Sequence, residues 1–227
     1  MSLAQSADFL ATVSLLGGLD RVELIRFAEL TRERTYPRGS VILFEDDPGD
    51  SLFIVREGRC KVVLIGEDGR EVILGILGPG DHFGELSLID GAPRSAHVIA
   101  MDDARLIVLR REDFKRRIDE SPALAWAMLN ELSRRLRRAD AQIGSLALLD
   151  VSGRMAHLLL RSANDTGSDT LAKKLTHQMI AQMIGASRET VSRTMREFQD
   201  KKLISVHRRQ ITLTDRATLE QMSRVRP

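Results

Sequence analysis

The apolar positions of this chain change period three times, and each change predicts a different kind of element. Residues 3–30 read as helical, with Leu24, Phe27, Ala28 and Leu30 recurring around charged positions. At Thr31 the pattern shifts to short β-like runs, at residues 41–44, 51–57, 59–65, 71–77 and 104–109. Glycines punctuate them, among them Gly39, Gly49, Gly58, Gly69, Gly84 and Gly91. Evenly spaced short strands with turn residues between them predict a β-sandwich or roll. A long helical stretch follows from about residue 122 to 149. In it Ala125, Leu129, Leu132, Leu136, Ala139, Ile143 and Leu146 are spaced alternately by 4 and 3. A stripe that narrow can dock on its own domain. Charged flanks at Glu131, Arg134, Arg135, Arg137 and Arg138 favour a two-stranded coiled coil and hence a homodimer.

Beyond the long helix, residues 150–153 read as a hinge and 154–163 as a helix with Met155, Leu158 and Leu159 inward. Residues 164–170 read as a polar loop. Residues 176–198 then hold two short helical patterns hinged at Gly185. Met179, Ile180, Met183 and Ile184 mark the first, and Val191, Met195 and Phe198 the second. Gly185 ends the first because a left-handed backbone is cheap only for glycine, and Ser187 stands where an N-cap belongs. Arg188 and Glu189 follow in the first turn, with Arg193 one turn on. A helix-turn-helix presents side chains to a major groove in this way. Residues 203–206 and 210–213 read as strands joined by His207, Arg208 and Arg209, like the hairpin wing of winged-helix domains. A basic hairpin tip can rest on phosphates.

Charge sharpens this reading. The 227 residues carry a net +2, yet residues 150–227 hold 14 Lys and Arg against 8 Asp and Glu, a net of +6. The first 149 hold 20 against 24, a net of −4. A basic C-terminal module on an acidic remainder suits a polyanion such as double-stranded DNA. The single cysteine, Cys60, excludes an internal disulfide and reads as a small buried residue. No apolar run approaches the roughly 20 residues that span a bilayer, and no export signal is evident. No membrane association and a cytoplasmic location are therefore expected. The five histidines lack metal-ligand spacing with Cys60, so no metal is expected.

Candidate small-molecule chemistry sits at residues 84–96. Gly84 permits close backbone approach, and residues 85–89 can form one helical turn whose N–H groups point at an anion. Arg94 adds a two-donor fork suited to phosphate, Ser95 a hydroxyl, and Glu85 an acceptor for a sugar hydroxyl. A phosphate with an adjacent ribose meets all of these groups. Glu85 as a general base would need a nucleophile or metal ligands that the motif lacks, so the chain reads as a non-enzyme.

These motifs, in this order, resemble the cyclic-AMP receptor protein / fumarate-nitrate regulator family, from about residue 8 to residue 214, and its cyclic-AMP receptor branch most of all. The residues that carry the likeness are Gly-Glu-Leu at 84–86, Pro-Arg-Ser-Ala at 93–96, Leu-Asp-Val-Ser-Gly-Arg at 149–154 and Ser-Arg-Glu-Thr-Val at 187–191. The resemblance implies an α+β chain with a cyclic-nucleotide-binding β-roll over residues 1–121. A dimerisation helix over 122–149 and a winged helix-turn-helix over 150–227 follow. It implies a ligand set of Gly84, Glu85, Leu86, Arg94, Ser95 and Ala96, with Ala139 and Asp140 where the family contacts adenine. It implies a DNA-contacting set of Thr176, His177, Gln178, Ser187, Arg188, Glu189, Thr190, Ser192, Arg193, His207 and Arg208, reading TGTGA-like half-sites. Arginine pairing with guanine and glutamate accepting from cytosine agree with that.

Ala139 cannot hydrogen-bond through its side chain, and an ionised Asp140 cannot donate. The ligand thus stays open between cyclic AMP, cyclic GMP and a cyclic dinucleotide. His177 replaces the family's backbone-contacting arginine. The 164–170 loop is shorter than the loop that contacts RNA polymerase in the family. The cysteine and histidine ligands of the family's iron-sulfur and haem branches are not evident. Two alternatives to a ligand-gated regulator remain: a DNA-binding regulator with a degenerate pocket, and a nucleotide sensor acting on a protein partner.

Overall fold

The computed structural model describes residues 2–171, 175–208 and 210–224. By internal contacts the chain divides into two units, residues 1–135 and 136–227. The division falls within the long helix.

The first unit opens with α1 (Leu3–Leu10), a single 3-10 turn at Ser14–Leu16, and α2 (Arg21–Leu30). The expected helical stretch 3–30 is thus two helices. The break has a local cause. Gly17 and Gly18 are costly in a helix interior, and a capping box restarts the helix. In that box Asp20 Oδ1 accepts from Glu23 N at 2.8 Å while Asp20 N donates to Glu23 Oε2 at 2.9 Å. Then follow β1 (Arg32–Tyr36), β2 (Val41–Leu43), β3 (Ser51–Glu57), β4 (Cys60–Ile65), β5 (Glu71–Leu77), β6 (His82–Phe83), α3 (Glu85–Asp90), β7 (His97–Ala100), β8 (Ala104–Arg110) and α4 (Arg111–Glu120). The strands form two antiparallel four-stranded sheets, in the orders β1-β8-β3-β6 and β2-β7-β4-β5.

The run Leu52-Phe53-Ile54-Val55 shows why β3 reads as continuously apolar. Both of its faces are covered. Phe53 and Val55 join Phe83, Leu106, Val108, Cys60, Val98 and Ala100 between the sheets. Leu52 and Ile54 face the other way, onto a layer built from α1, α2 and α4 with Phe27, Ile107, Phe114, Leu124 and Met128. Phe53 and Phe83 stack at 5.1 Å. Cys60 is fully buried, and burial pushes its thiol up to about 11.

The long helix, α5 (Pro122–Leu148), gives Leu124 and Met128 to that layer, with Leu132 packed against it. Leu129, Leu136 and Ile143, spaced by seven, are 53%, 64% and 64% exposed.

In the second unit the expected hinge at 150–153 is the start of a helix, α6 (Val151–Thr166). Asp150 caps it, its Oδ1 accepting from Gly153 N at 2.7 Å. The helix also runs through half of the expected 164–170 loop and stops at Gly167, whose φ of 63° is left-handed. Next come α7 (His177–Ile184), α8 (Arg188–Asp200), β9 (Ile204–His207), β10 (Gln210–Leu213) and α9 (Arg216–Ser223). The strands β9 and β10 pair as an antiparallel hairpin. Met155, Leu159, Ile180, Val191, Met195, Phe198 and Leu219 are buried. Among the described residues no helix is long and apolar enough to cross a membrane.

Candidate functional site

In the first unit, Gly84 holds φ at 86° and caps α3 from the left-handed region, so β6 turns sharply into α3. Glu85 is 2% exposed and Arg94 4%. Arg94 Nη1 donates to the Gly84 carbonyl at 2.7 Å and Nη2 to the Ser51 carbonyl at 2.9 Å. Its Nε is buried without a hydrogen-bond partner among the described residues. Burial pulls the guanidinium below the usual arginine range, Asp50 opposing and Arg111 adding to the pull. Gly49 is required beneath it: a Cβ there would lie 2.4 Å from Ser87 Cβ and 2.9 Å from Arg94 Cζ.

Glu85 has one engaged oxygen. Its Oε1 accepts from Arg135 Nη1 at 2.7 Å, while Arg135 Nη2 donates to the His82 carbonyl at 2.7 Å and its Nε to Glu131 Oε1 at 3.2 Å. Glu85 Oε2 is buried without a partner among the described residues. Burial raises the Glu85 pKa above the ordinary carboxylate value, and Arg135 works against that. Behind this pair His82 is 1% exposed, with both ring nitrogens unpartnered among the described residues. Burial, helped by Arg135, lowers its pKa to about 3, so the ring is neutral.

Gly84, Glu85 and Arg94 therefore come together as expected from the sequence. Ala96 is buried beside them in the chain, whereas Leu86 and Ser95 are exposed. Ala139 and Asp140 are exposed on α5, in the second unit. Sequence reasoning missed Gly49, Ser51, Arg111 and Arg135. Arg111 Nη2 donates to the carbonyls of Gly49 and, at 2.9 Å, Ser87, pinning α3 to the turn before β3. Glu131 stands four residues before Arg135 on the same helix face, a spacing that marks their ion pair but not the contact with Glu85.

In the second unit, Gly185 turns α7 into α8 with φ at 63°. Thr176 caps α7, accepting from Met179 N at 3.2 Å, and Ser187 caps α8, accepting from Thr190 N at 3.1 Å. His177 Nδ1 lies 2.8 Å from Ser192 Oγ, tying the first turn of α7 to α8. One side of α8 is buried through Val191, Thr194, Met195 and Phe198. The other exposes Arg188, Glu189 and Arg193, and with them Arg196, eight residues beyond Arg188 and absent from the sequence-based set. Gln178, His207 and Arg208 are exposed, while Thr190 and Ser192 are half-buried. Arg208 holds φ at 47° at the hairpin tip. Arg209 lies outside the described residues.

Comparison with known proteins bears on both sites. Residues 33–121 match the cyclic nucleotide-binding domain family, and residues 153–222 match the Crp-like helix-turn-helix domain family. The chain is similar to the CRP-like cAMP-activated global transcriptional regulator of Mycobacterium tuberculosis, with 31% identity over 96% of this chain and 99% of that one. It is similar to the cAMP-activated global transcriptional regulator CRP of Salmonella typhimurium, with 34% identity over 78% of this chain and 87% of that one. The solved structure of FixK2 from Bradyrhizobium japonicum shares the fold, with a TM-score of 0.78 at 23% identity, covering 87% of this chain and 99% of that one.

Proposed function

The chain belongs to the CRP/FNR family of DNA-binding transcription regulators, with a cyclic nucleotide-binding domain, and on that premise we propose a homodimer whose DNA affinity is set by a cyclic nucleotide. Members of this family are regulators and not enzymes. One observation carries the ligand half of the proposal. Arg94 and Glu85 are both more than nine-tenths buried, and each keeps one polar atom without a partner among the described residues. An unsatisfied buried donor or acceptor costs about 1–3 kcal/mol. A phosphoryl oxygen accepting from Arg94 and a ribose hydroxyl donating to Glu85 would remove both costs.

The DNA half rests on the exposed side of α8. Arg188 and Arg193 suit the acceptor edges of guanine and Glu189 the amino group of cytosine, which fits TGTGA-like half-sites. The dimer rests on α5. Leu129, Leu136 and Ile143 form an exposed stripe at heptad spacing, the pattern of a two-stranded seam. Two such chains would read half-sites about one helical turn apart.

Calorimetry of the purified chain against cyclic AMP, cyclic GMP and cyclic dinucleotides tests the proposal, followed by DNA binding with and without the best ligand. Saturable binding that Arg94→Leu abolishes supports it. A panel in which nothing binds sinks it. A second reading has its own support: Arg135 already engages Glu85, and two carbonyls already hold Arg94. In that reading the pocket is closed from within and DNA binding needs no ligand. High wild-type DNA affinity that no nucleotide alters would select it.

A further inference from the structure

Within the second unit, the C-terminal part of α5, α6 and α7 line a half-open cavity of about 20 Å³ whose walls include Arg154, His157, Arg161, Met183 and Ile184. We propose that this cavity is a monatomic anion site, with chloride as its occupant. The proposal stands apart from the nucleotide pocket and does not depend on it.

Three observations converge. The first is unused donor capacity. Arg154 spends Nη1 on the Leu149 carbonyl, at 3.0 Å, and its Nε is buried without a partner among the described residues. The Nε2 of His157, one turn further along α6, is in the same condition.

The second observation is charge. Arg154 and Arg161 line the cavity, and Arg138 on α5 acts on Arg161 with the same sign. Burial lowers the pKa of both Arg161 and His157, and Arg161 adds to the effect on His157. Asp165 is the carboxylate that opposes this on Arg161, and α7 is free of Asp, Glu, Lys and Arg. Cationic side chains held from water are costly unless an opposite charge compensates them.

The third is size. A volume of this order holds about one water-sized sphere. Phosphate and sulfate are larger than the space inside it. A water molecule fits sterically, but it adds no negative charge to that of Asp165. A halide satisfies both the donors and the charge.

Met183 and Ile184 belong to the last turn of α7, immediately before Gly185 and α8. An ion held there braces the first helix of the helix-turn-helix against α5 and α6.

The test is thermal unfolding of the full chain at fixed ionic strength, with chloride replaced stepwise by gluconate. The midpoint should rise with chloride by about 2–4 °C, as expected for a ligand worth near 1 kcal/mol, and should then saturate. Arg161→Met and His157→Leu should each remove the chloride dependence. Crystals grown in bromide should show an anomalous peak between Arg154, His157 and Arg161, a readout that needs no variant to fold. Equal midpoints in chloride and gluconate overturn the proposal, as does a water with no anomalous signal in the cavity. So does a chloride dependence that survives in both variants.

Discussion

His82 shows how a single side chain can load the fold against acid. Its ring is buried with both nitrogens unpartnered among the described residues, and its pKa lies at about 3 instead of 6.5. The folded pKa is the lower one, so between those values the unfolded chain binds the proton that the folded chain refuses. Stability should therefore fall as pH drops below about 6.5, at up to about 1.4 kcal/mol per pH unit. His82→Phe keeps the ring shape and removes both orphaned nitrogens. It should raise the urea midpoint at pH 7 and flatten the acid limb between pH 6.5 and 4.5. Unchanged curves would show that the imidazole reaches water. Gly49 makes a second prediction at this scale. An alanine Cβ would collide with Ser87 and Arg94, so Gly49→Ala should cost about 1–3 kcal/mol as an overpacked site and weaken nucleotide binding in calorimetry. Gly84, Glu85 and Arg94 were legible in the sequence because they lie within one short segment. Their partners were not. Arg135 is 50 residues from Glu85 and Ser51 is 43 from Arg94, and no local pattern joins residues that far apart.

At the scale of elements, the strong periods read true and the weak ones did not. The runs that became β3 and β5, and the pattern that became α5, are each uniform over several residues. By contrast β1 reads Arg-Glu-Arg-Thr-Tyr and pairs only with β8 at the end of its sheet, so its mostly exposed side chains carry no alternation. The two-residue β6 is too short to have a period. The exposed stripe of α5 refines where the seam should be tested. Leu132 packs against the core of the first unit and would confound the result, whereas Leu136 and Ile143 are exposed. Replacing Leu136 and Ile143 together with Asp should yield a folded monomer in analytical ultracentrifugation. A persisting dimer would place the interface elsewhere. On α8, Arg188→Ala should cost about 1–3 kcal/mol at a cognate site and relax preference at one guanine. Cognate and scrambled duplexes bound in the wild-type ratio would show that another face of α8 does the reading.

At the scale of the whole molecule, an acidic first part carries the cyclic nucleotide-binding domain and a basic second part the helix-turn-helix. If a nucleotide gates the DNA affinity, the two sites share one coupling free energy, typically 1–3 kcal/mol. DNA affinity should then change about 5–150-fold with ligand, and operator DNA should tighten nucleotide binding by the same factor. Calorimetry with and without operator measures that factor directly, and a factor of one would show that the two sites are uncoupled. The stripe on α5 adds something that neither site supplies. Leu129, Leu136 and Ile143 have their large side chains in solvent within a single chain. If a second copy covers them, the form that grips two half-sites predominates only above a concentration set by the dimer dissociation constant. Below that concentration its amount grows with the square of the chain's abundance. Synthesis and turnover of the protein would then act as an input alongside the small molecule, and a modest change in copy number would be felt twice over at the promoter.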